Sequence, residues 1–401
     1  MSYVLVRRLR QTSLFSQLIR VESTMTNLTQ EELVFRPPVT HWSKVIRDAE
    51  KIVGYPTSFM NLRWLLSDEF ANMASYLRKL VGSNHPILQT AKTVLYNEQN
   101  NLQPWGLVIL LLSNAVTPTT QALQAGNLAE NQRILAELTE MIRTGHYVHR
   151  GLLNTPIEER GNVTDTAMFG NKIALLIGDY LLVTANGMLA RLKNQDLSYL
   201  ISTALRDMSE GEFFGERDKQ NMPLPGAPLT GKDTDEYHIT SDSLPLVVKD
   251  TLGHPVREWT VRTLFSGGSL FGRGCQGTLL LAGQTLEEQE MAYLFGCHLN
   301  LAWQAGSELQ KLTSNNQFSL VSAPVLFALN KNPDLYHFIV KNKEDVSQVD
   351  YERLKCEVLA TDAVERTKAL YEENASKAEN YIKEFGDNKS IDTVRKLINT
   401  F

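Results

Sequence analysis

The sequence is poor in cysteine, in excess positive charge and in long apolar runs, and each shortage excludes a class of protein. Its three cysteines, Cys275, Cys297 and Cys356, are far apart and odd in number, so a reducing compartment is expected rather than a disulfide framework. Acids outnumber Lys and Arg by 45 to 40 over 401 residues, a net charge of −5. That balance excludes nucleic-acid binding by general basicity. The longest uninterrupted apolar stretch, Gly106 to Leu112, is far short of the roughly 20 residues of a membrane span, so no transmembrane segment is expected. Alternating β-branched runs are scarce, which argues against sheets. With 43% hydrophobic and 21% charged residues, what remains is a globular chain long enough for one large core or two domains.

Acids are also missing from the first twenty residues. Arg7, Arg8, Arg10 and Arg20 all precede the first acid, Glu22, and Leu5, Leu9, Leu14 and Leu18 place apolar groups at i, i+4 beside them. An Arg-rich, acid-free amphipathic leader has the pattern of a mitochondrial transit peptide. It is assigned to residues 1–21, with a linker at 22–40 that ends in Pro37-Pro38. Removing the four arginines would leave a mature protein near −9.

Nearly every periodic segment reads as helix. Ile134, Leu135, Leu138, Met141, Ile142, Gly145 and Val148 share a face at 3.6-residue spacing. Residues 171–192 are apolar almost all round, as expected for a helix at the centre of a bundle. Thr285 and Glu288 form a capping box before another long helix, and 361–385 reads as a surface helix. The expected architecture is all-α, one helical domain over 41–401. Residues 216–255 interrupt it with five prolines and seven acids, and are expected to form a mobile surface insertion. Within it, Asp233, Asp235 and Glu236 read as a solvated loop rather than a cation site.

The strongest signal lies between 137 and 192, which reads ELTEMIRTGHYVHRGLLNTPIEERGN and, after a short gap, FGNKIALLIGDYLLVTANGMLARL. This resembles the trans-polyprenyl diphosphate synthases, all-helical enzymes that lengthen allylic diphosphates with isopentenyl diphosphate. In that family a helix ends in His-Asp-Asp-x-x-Asp, followed by Arg-Arg-Gly, Gly-Asn-Lys and Gly-Asp-(Phe/Tyr)-Leu-Leu. Here His149, Arg160, Gly161, Gly170, Asn171, Lys172 and Gly178 to Leu182 match in register. The resemblance runs from about residue 45 to the C-terminus and implies an isoprenoid-synthase helical bundle.

The acidic motif is the conspicuous shortage. Its aspartate positions hold Arg150, Gly151 and Asn154. Carboxylates at i, i+1 and i+4 share a helical face, where they hold Mg²⁺ against substrate diphosphate and stabilise the leaving group. A divalent ion ~4 Å from an arginine would instead meet about 8 kcal/mol of repulsion at an effective dielectric near 20. The second motif aligns with LNLAWQAGSELQKL, where Gln304 is kept but the aspartate positions hold Ser307, Glu308 and Lys311. Formal charge over the six positions moves from −6 to +1, so no catalytic residue and no metal ligand is assigned to this chain.

Other diphosphate-binding positions erode likewise. The family's Gly-Lys-Arg falls just before Pro86, where the chain reads VGSNHP; Glu159 replaces the first arginine after the motif; Arg262-Thr263 stands for a Lys-Thr pair. Arg160, Arg262, Thr263 and Gln304 are the remnants that the resemblance offers for substrate binding, against the reading that they are ordinary surface charges. The glycine-rich GGSLFGRGCQG (267–277) lacks the Gly-Lys-Ser/Thr of a P-loop and reads as close helix packing. Cys297-His298 near Glu290 lacks metal-ligand spacing and reads as core, and His149 matches the family's structural histidine.

With HWSKVIRDAEKIVGYPTSFMNLRWLLSDE (41–69) and SAPVLF, the chain is most similar to a branch of the family that lacks both aspartate motifs and pairs with a catalytic homologue. The branch implies a non-catalytic subunit in the mitochondrial matrix, in a hetero-oligomer, a heterotetramer by expectation, that makes the ubiquinone side chain. No cofactor is expected on this chain, and Mg²⁺ on the catalytic subunit. Allylic and isopentenyl diphosphates would be handled through that partner. The rival readings are an autonomous prenyltransferase with an unusual site and an isoprenoid-lipid scaffold without a synthase partner.

Overall fold

The computed structural model describes residues 41–55, 57, 103–116, 122–154, 162–229, 236–313 and 318–399. The leader and linker, VGSNHP, Arg160, Asp233 and Asp235 lie outside the described residues. Among the described residues thirteen α-helices follow in order: α1 His41–Val53, α2 Trp105–Val116, α3 Ala122–Arg150, α4 Asn162–Arg191, α5 Gln195–Glu210, α6 Pro255–Thr263, α7 Ser269–Leu281, α8 Leu286–Thr313, α9 Ala323–Lys331, α10 Asp334–Val340, α11 Tyr351–Leu359, α12 Ala363–Lys383 and α13 Lys389–Ile398. Among the described residues there is no strand, only an isolated bridge between Arg217 and Pro223. The described residues fall in two compact units: those within 41–44, 57 and 140–185 belong to one, and those within 45–55, 103–139 and 186–399 to the other.

Local chemistry explains the helix starts. Thr285 Oγ1 accepts the Glu288 amide, and Glu288 returns the contact by accepting the Thr285 amide at 2.9 Å. This reciprocal box opens α8. Asn194, Asp350 and Asn388 cap α5, α11 and α13 through backbone N–H groups of the first turn.

In the larger unit α7 and α8 run through the centre, with α12 packed along α8. Trp105, Phe271 and Trp303 stack in series at centroid spacings of 5.3 and 6.0 Å, and the Trp303 indole donates to the Leu397 carbonyl. The glycine-rich segment 267–277 serves this packing. A methyl at Gly272 would meet Cys297 Sγ at 2.7 Å, and one at Gly274 would meet Ile109 at 2.7 Å. Gly267, at φ 140°, turns a π-helical step between α6 and α7 directly under the Trp105 ring, where any L side chain is both strained and obstructed.

Helix α4 corrects two expectations. It is not buried all round: Leu176, Val183, Leu175 and Met168 are exposed beside Lys172 and Asp179. Its stretch Asp165–Arg191 is also long and apolar enough, by length and composition, to cross a membrane, although charges interrupt every pure apolar run.

The described parts of the 216–255 segment, 216–229 and 236–254, are non-helical up to α6, and they are fastened to the core. Leu224 and Ile239 enter the core beside Trp259 and Leu264. The Glu258 carboxylate accepts the amides of Gly226 and Gly253, so buried hydrogen bonds hold both ends of a connection whose proline content had suggested mobility.

Candidate functional site

The first motif position lies at the C-terminus of α3. Arg150 is its last residue, and the Gly151 and Leu152 amides turn back onto the Val148 and His149 carbonyls at 3.1 and 3.2 Å. Residues 151, 153 and 154 are outside the helix. The i, i+1, i+4 face that a metal-binding triad needs is therefore not built here, whatever side chains stand at the three positions. Arg150 and Asn154 are exposed and Gly151 half-buried.

The retained residues around this turn serve packing. Asn171 on α4 reads the backbone of Leu153 twice: its Oδ1 accepts the amide at 2.8 Å and its Nδ2 donates to the carbonyl at 2.6 Å. His149 lies across α4, with Nε2 3.2 Å from the Leu175 carbonyl and 3.3 Å from Asp179 Oδ1. It fits because residue 178 is glycine; a β-carbon there would sit 2.1 Å from His149 Nε2.

The second motif position lies near the C-terminus of α8. Ser307 is half-buried, Lys311 exposed and Glu308 buried. Glu308 Oε2 accepts the Trp259 indole at 2.9 Å and the Ala323 amide at 2.8 Å, while Oε1 accepts Gln304 at 2.7 Å. Burial raises the Glu308 pKa from its ordinary 4.5, and the three donors pull it back in part. This carboxylate spends its acceptor capacity on α6, α9 and its own helix. Gln304, expected as a substrate-binding remnant, is correspondingly turned to Glu308. Both line a cavity of about 250 Å³ with Lys311, Met222, Phe318 and Tyr351.

Arg262, a further expected substrate contact, is likewise an internal strut. Its Nε donates to Glu258 at 2.9 Å, and its terminal nitrogens donate to the Leu224 and Phe214 carbonyls at 2.8 and 3.3 Å. All three nitrogens are engaged, and the side chains of Arg262 and Glu258 are only 10% and 1% exposed. The i, i+4 spacing of Glu258 and Arg262 was the available sequence signal for this pair. Thr263 beside it is buried. Cys297 and His298 are core residues, as read from the sequence. The Cys297 thiol pKa is pushed up to about 12 by burial, and His298 Nδ1 lies 2.9 Å from Asn374 Oδ1.

Mg²⁺ does not fit the residues that this chain offers at either motif position. One position supplies a cation, a glycine and an amide beyond a helix end; the other supplies a single carboxylate that three protein donors already occupy. Among the described residues, no group of three His, Cys, Asp or Glu side chains is placed to hold a metal.

Comparison with known proteins places the architecture. The polyprenyl synthetase family model matches residues 106–225. The human all trans-polyprenyl-diphosphate synthase PDSS2 is 33% identical over 371 residues, covering 89% of this chain and 86% of that protein. The chain belongs to the polyprenyl diphosphate synthase family. A probable mitochondrial hexaprenyl pyrophosphate synthase of Yarrowia lipolytica is 25% identical, covering 90% of this chain and 89% of that protein. Among solved structures, a decaprenyl diphosphate synthase from Rhodobacter capsulatus shares the fold, with a TM-score of 0.57 at 14% identity over 89% of this chain and 96% of the other. The polyprenyl synthase bundle is thus kept.

Proposed function

We propose that this chain is the non-catalytic subunit of a heteromeric trans-polyprenyl diphosphate synthase. A catalytic homologue carries the Mg²⁺ and joins isopentenyl diphosphate to an allylic diphosphate, and this chain supports or regulates it. Burial of Glu308 carries the reading. The sole carboxylate among the six aligned aspartate positions is committed to the protein's own donors, and the other five positions hold Arg150, Gly151, Asn154, Ser307 and Lys311.

The name of the Yarrowia lipolytica relative, which is called mitochondrial, and the basic leader support a mitochondrial setting, with the matrix as the compartment and the ubiquinone side chain as the product of the pair. The exposed stripe of α4, with Leu176, Val183 and Met168, favours a chain that works in a hetero-oligomer, a heterotetramer in our reading. The test is reconstitution. Each subunit is purified, then assayed alone and mixed for Mg²⁺-dependent elongation. This reading expects turnover from the mixture and none from this chain alone.

A further inference from the structure

The 236–254 segment is held more firmly than its composition requires. Four consecutive carbonyls accept arginine donors from two helices. Arg273 on α7 donates to Ser241 and Asp242 at 2.9 and 2.6 Å, and Arg206 on α5 donates to Ser243 and Leu244 at 3.1 and 3.0 Å. Arg206 is itself held by Asp207, at 2.8 Å. Arg273 is 1% exposed, lies 4.1 Å over the Tyr293 ring, and has a buried Nε with no partner. Were the segment to leave, this buried guanidinium would lose its carbonyl acceptors, so the segment is a fixed strap.

The strap has an inner and an outer side. Tyr237 and Leu246 pack on the core made by Phe214, Val261 and Phe265. Leu244, Val247 and Val248 point outward, with Leu244 67% and Val247 66% exposed. Leu252 joins them and reaches the neighbourhood of Gly215, beside the turn that leaves Phe213 88% exposed. A rigid surface with this many bare apolar side chains marks an interaction site. Its surroundings lean acidic: Glu210 and Glu212 are paired with Arg206 and Arg217 at 4.0 and 3.4 Å, which leaves exposed Glu216, Asp242 and Asp250 against Lys249.

From this we infer that the clamped strap is a docking face for a second, non-identical protein chain that presents apolar side chains flanked by Lys or Arg. Charge selects the occupant. A second copy of this chain would bring the same patch against itself across a two-fold axis, acid facing acid. An anionic lipid surface would be repelled in the same way. On the hetero-oligomer reading above, on which this inference rests, the occupant is the catalytic homologue.

The experiment measures the dissociation constant between the full chain and its purified catalytic homologue by sedimentation velocity. Wild type is compared with Leu244→Ser/Val247→Ser and with Glu210→Lys/Glu216→Lys. Thermal melts check that these surface variants fold. The inference expects about a tenfold weaker complex for the first pair, and for the second a weaker complex with a flatter salt dependence. Variants that bind within twofold of wild type would overturn the inference and leave the proposed function standing. No complex with wild type would overturn both. Binding of the free wild-type chain to phosphatidylglycerol vesicles, lost in Leu244→Ser/Val247→Ser, would reassign the face to lipid and also overturn the inference.

Discussion

Glu308 accepts the indole N–H of Trp259 at 2.9 Å inside the larger unit. Its carboxylate joins α8 to α6 and, through the Ala323 amide, to the start of α9. Glu308→Ala strands three donors in a buried site. It should destabilise the chain by about 3 kcal/mol in urea unfolding, and Glu308→Gln by about 1 kcal/mol.

Titration gives a second readout of the same residue. Burial raises the folded-state pKa of Glu308 above its ordinary 4.5. The folded state therefore holds the proton more tightly than the unfolded chain. The contribution to stability is complete below the ordinary value and is lost as pH rises through the raised one. Glu308→Gln should flatten this part of the pH–stability profile, measured by urea midpoints across the acidic range.

Helix positions and the motif itself were legible in the sequence because hydrophobic spacing and capping residues are local. The Thr285–Glu288 box and the packing role of 267–277 follow from residue type and spacing alone. The placement of Glu308 and Arg262 was not legible. Whether a carboxylate faces a ligand or its own core depends on residues far along the chain, Trp259 and Ala323 in one case and Leu224 and Phe214 in the other. The anchoring of the described parts of 216–255 was not legible for the same reason. Prolines and acids indicate the absence of helix, but the arginines that fasten it, Arg206 and Arg273, lie on helices before and after it.

Arg262 tests the difference between a strut and an anion contact. Arg262→Ala leaves the buried Glu258 carboxylate without its cation and should cost about 3 kcal/mol of stability. Arg262→Lys keeps the charge but loses the planar fork and should fall between. Calorimetric titration with inorganic diphosphate should give the same affinity for Arg262→Lys as for the parent chain, since no nitrogen of Arg262 is turned to a ligand.

His149 and Gly178 are coupled by contact. Gly178→Ala places a methyl within 2.1 Å of His149 Nε2, and should cost roughly 2 kcal/mol through overpacking. In the His149→Ala background the same substitution should cost much less. A double-mutant cycle in urea reads that coupling directly.

His298 should mark acid sensitivity. Asn374 Nδ2 donates to the Leu370 carbonyl, so its Oδ1 accepts from His298 Nδ1. Burial lowers the His298 pKa from its ordinary 6.5, opposed by the Asn374 hydrogen bond and by Glu236 and Glu373 and aided by the Lys377 charge. Its contribution to stability is present above that ordinary value and is lost as pH falls through the lowered one. His298→Gln should reduce the loss of stability on mild acidification, followed by thermal melts.

The account turns on what this chain can do without a partner. Purified alone, with Mg²⁺, an allylic diphosphate and radiolabelled isopentenyl diphosphate, it should give no extended prenyl product, and addition of a catalytic homologue should produce long-chain product. Sustained, Mg²⁺-dependent elongation by the isolated chain would contradict the account.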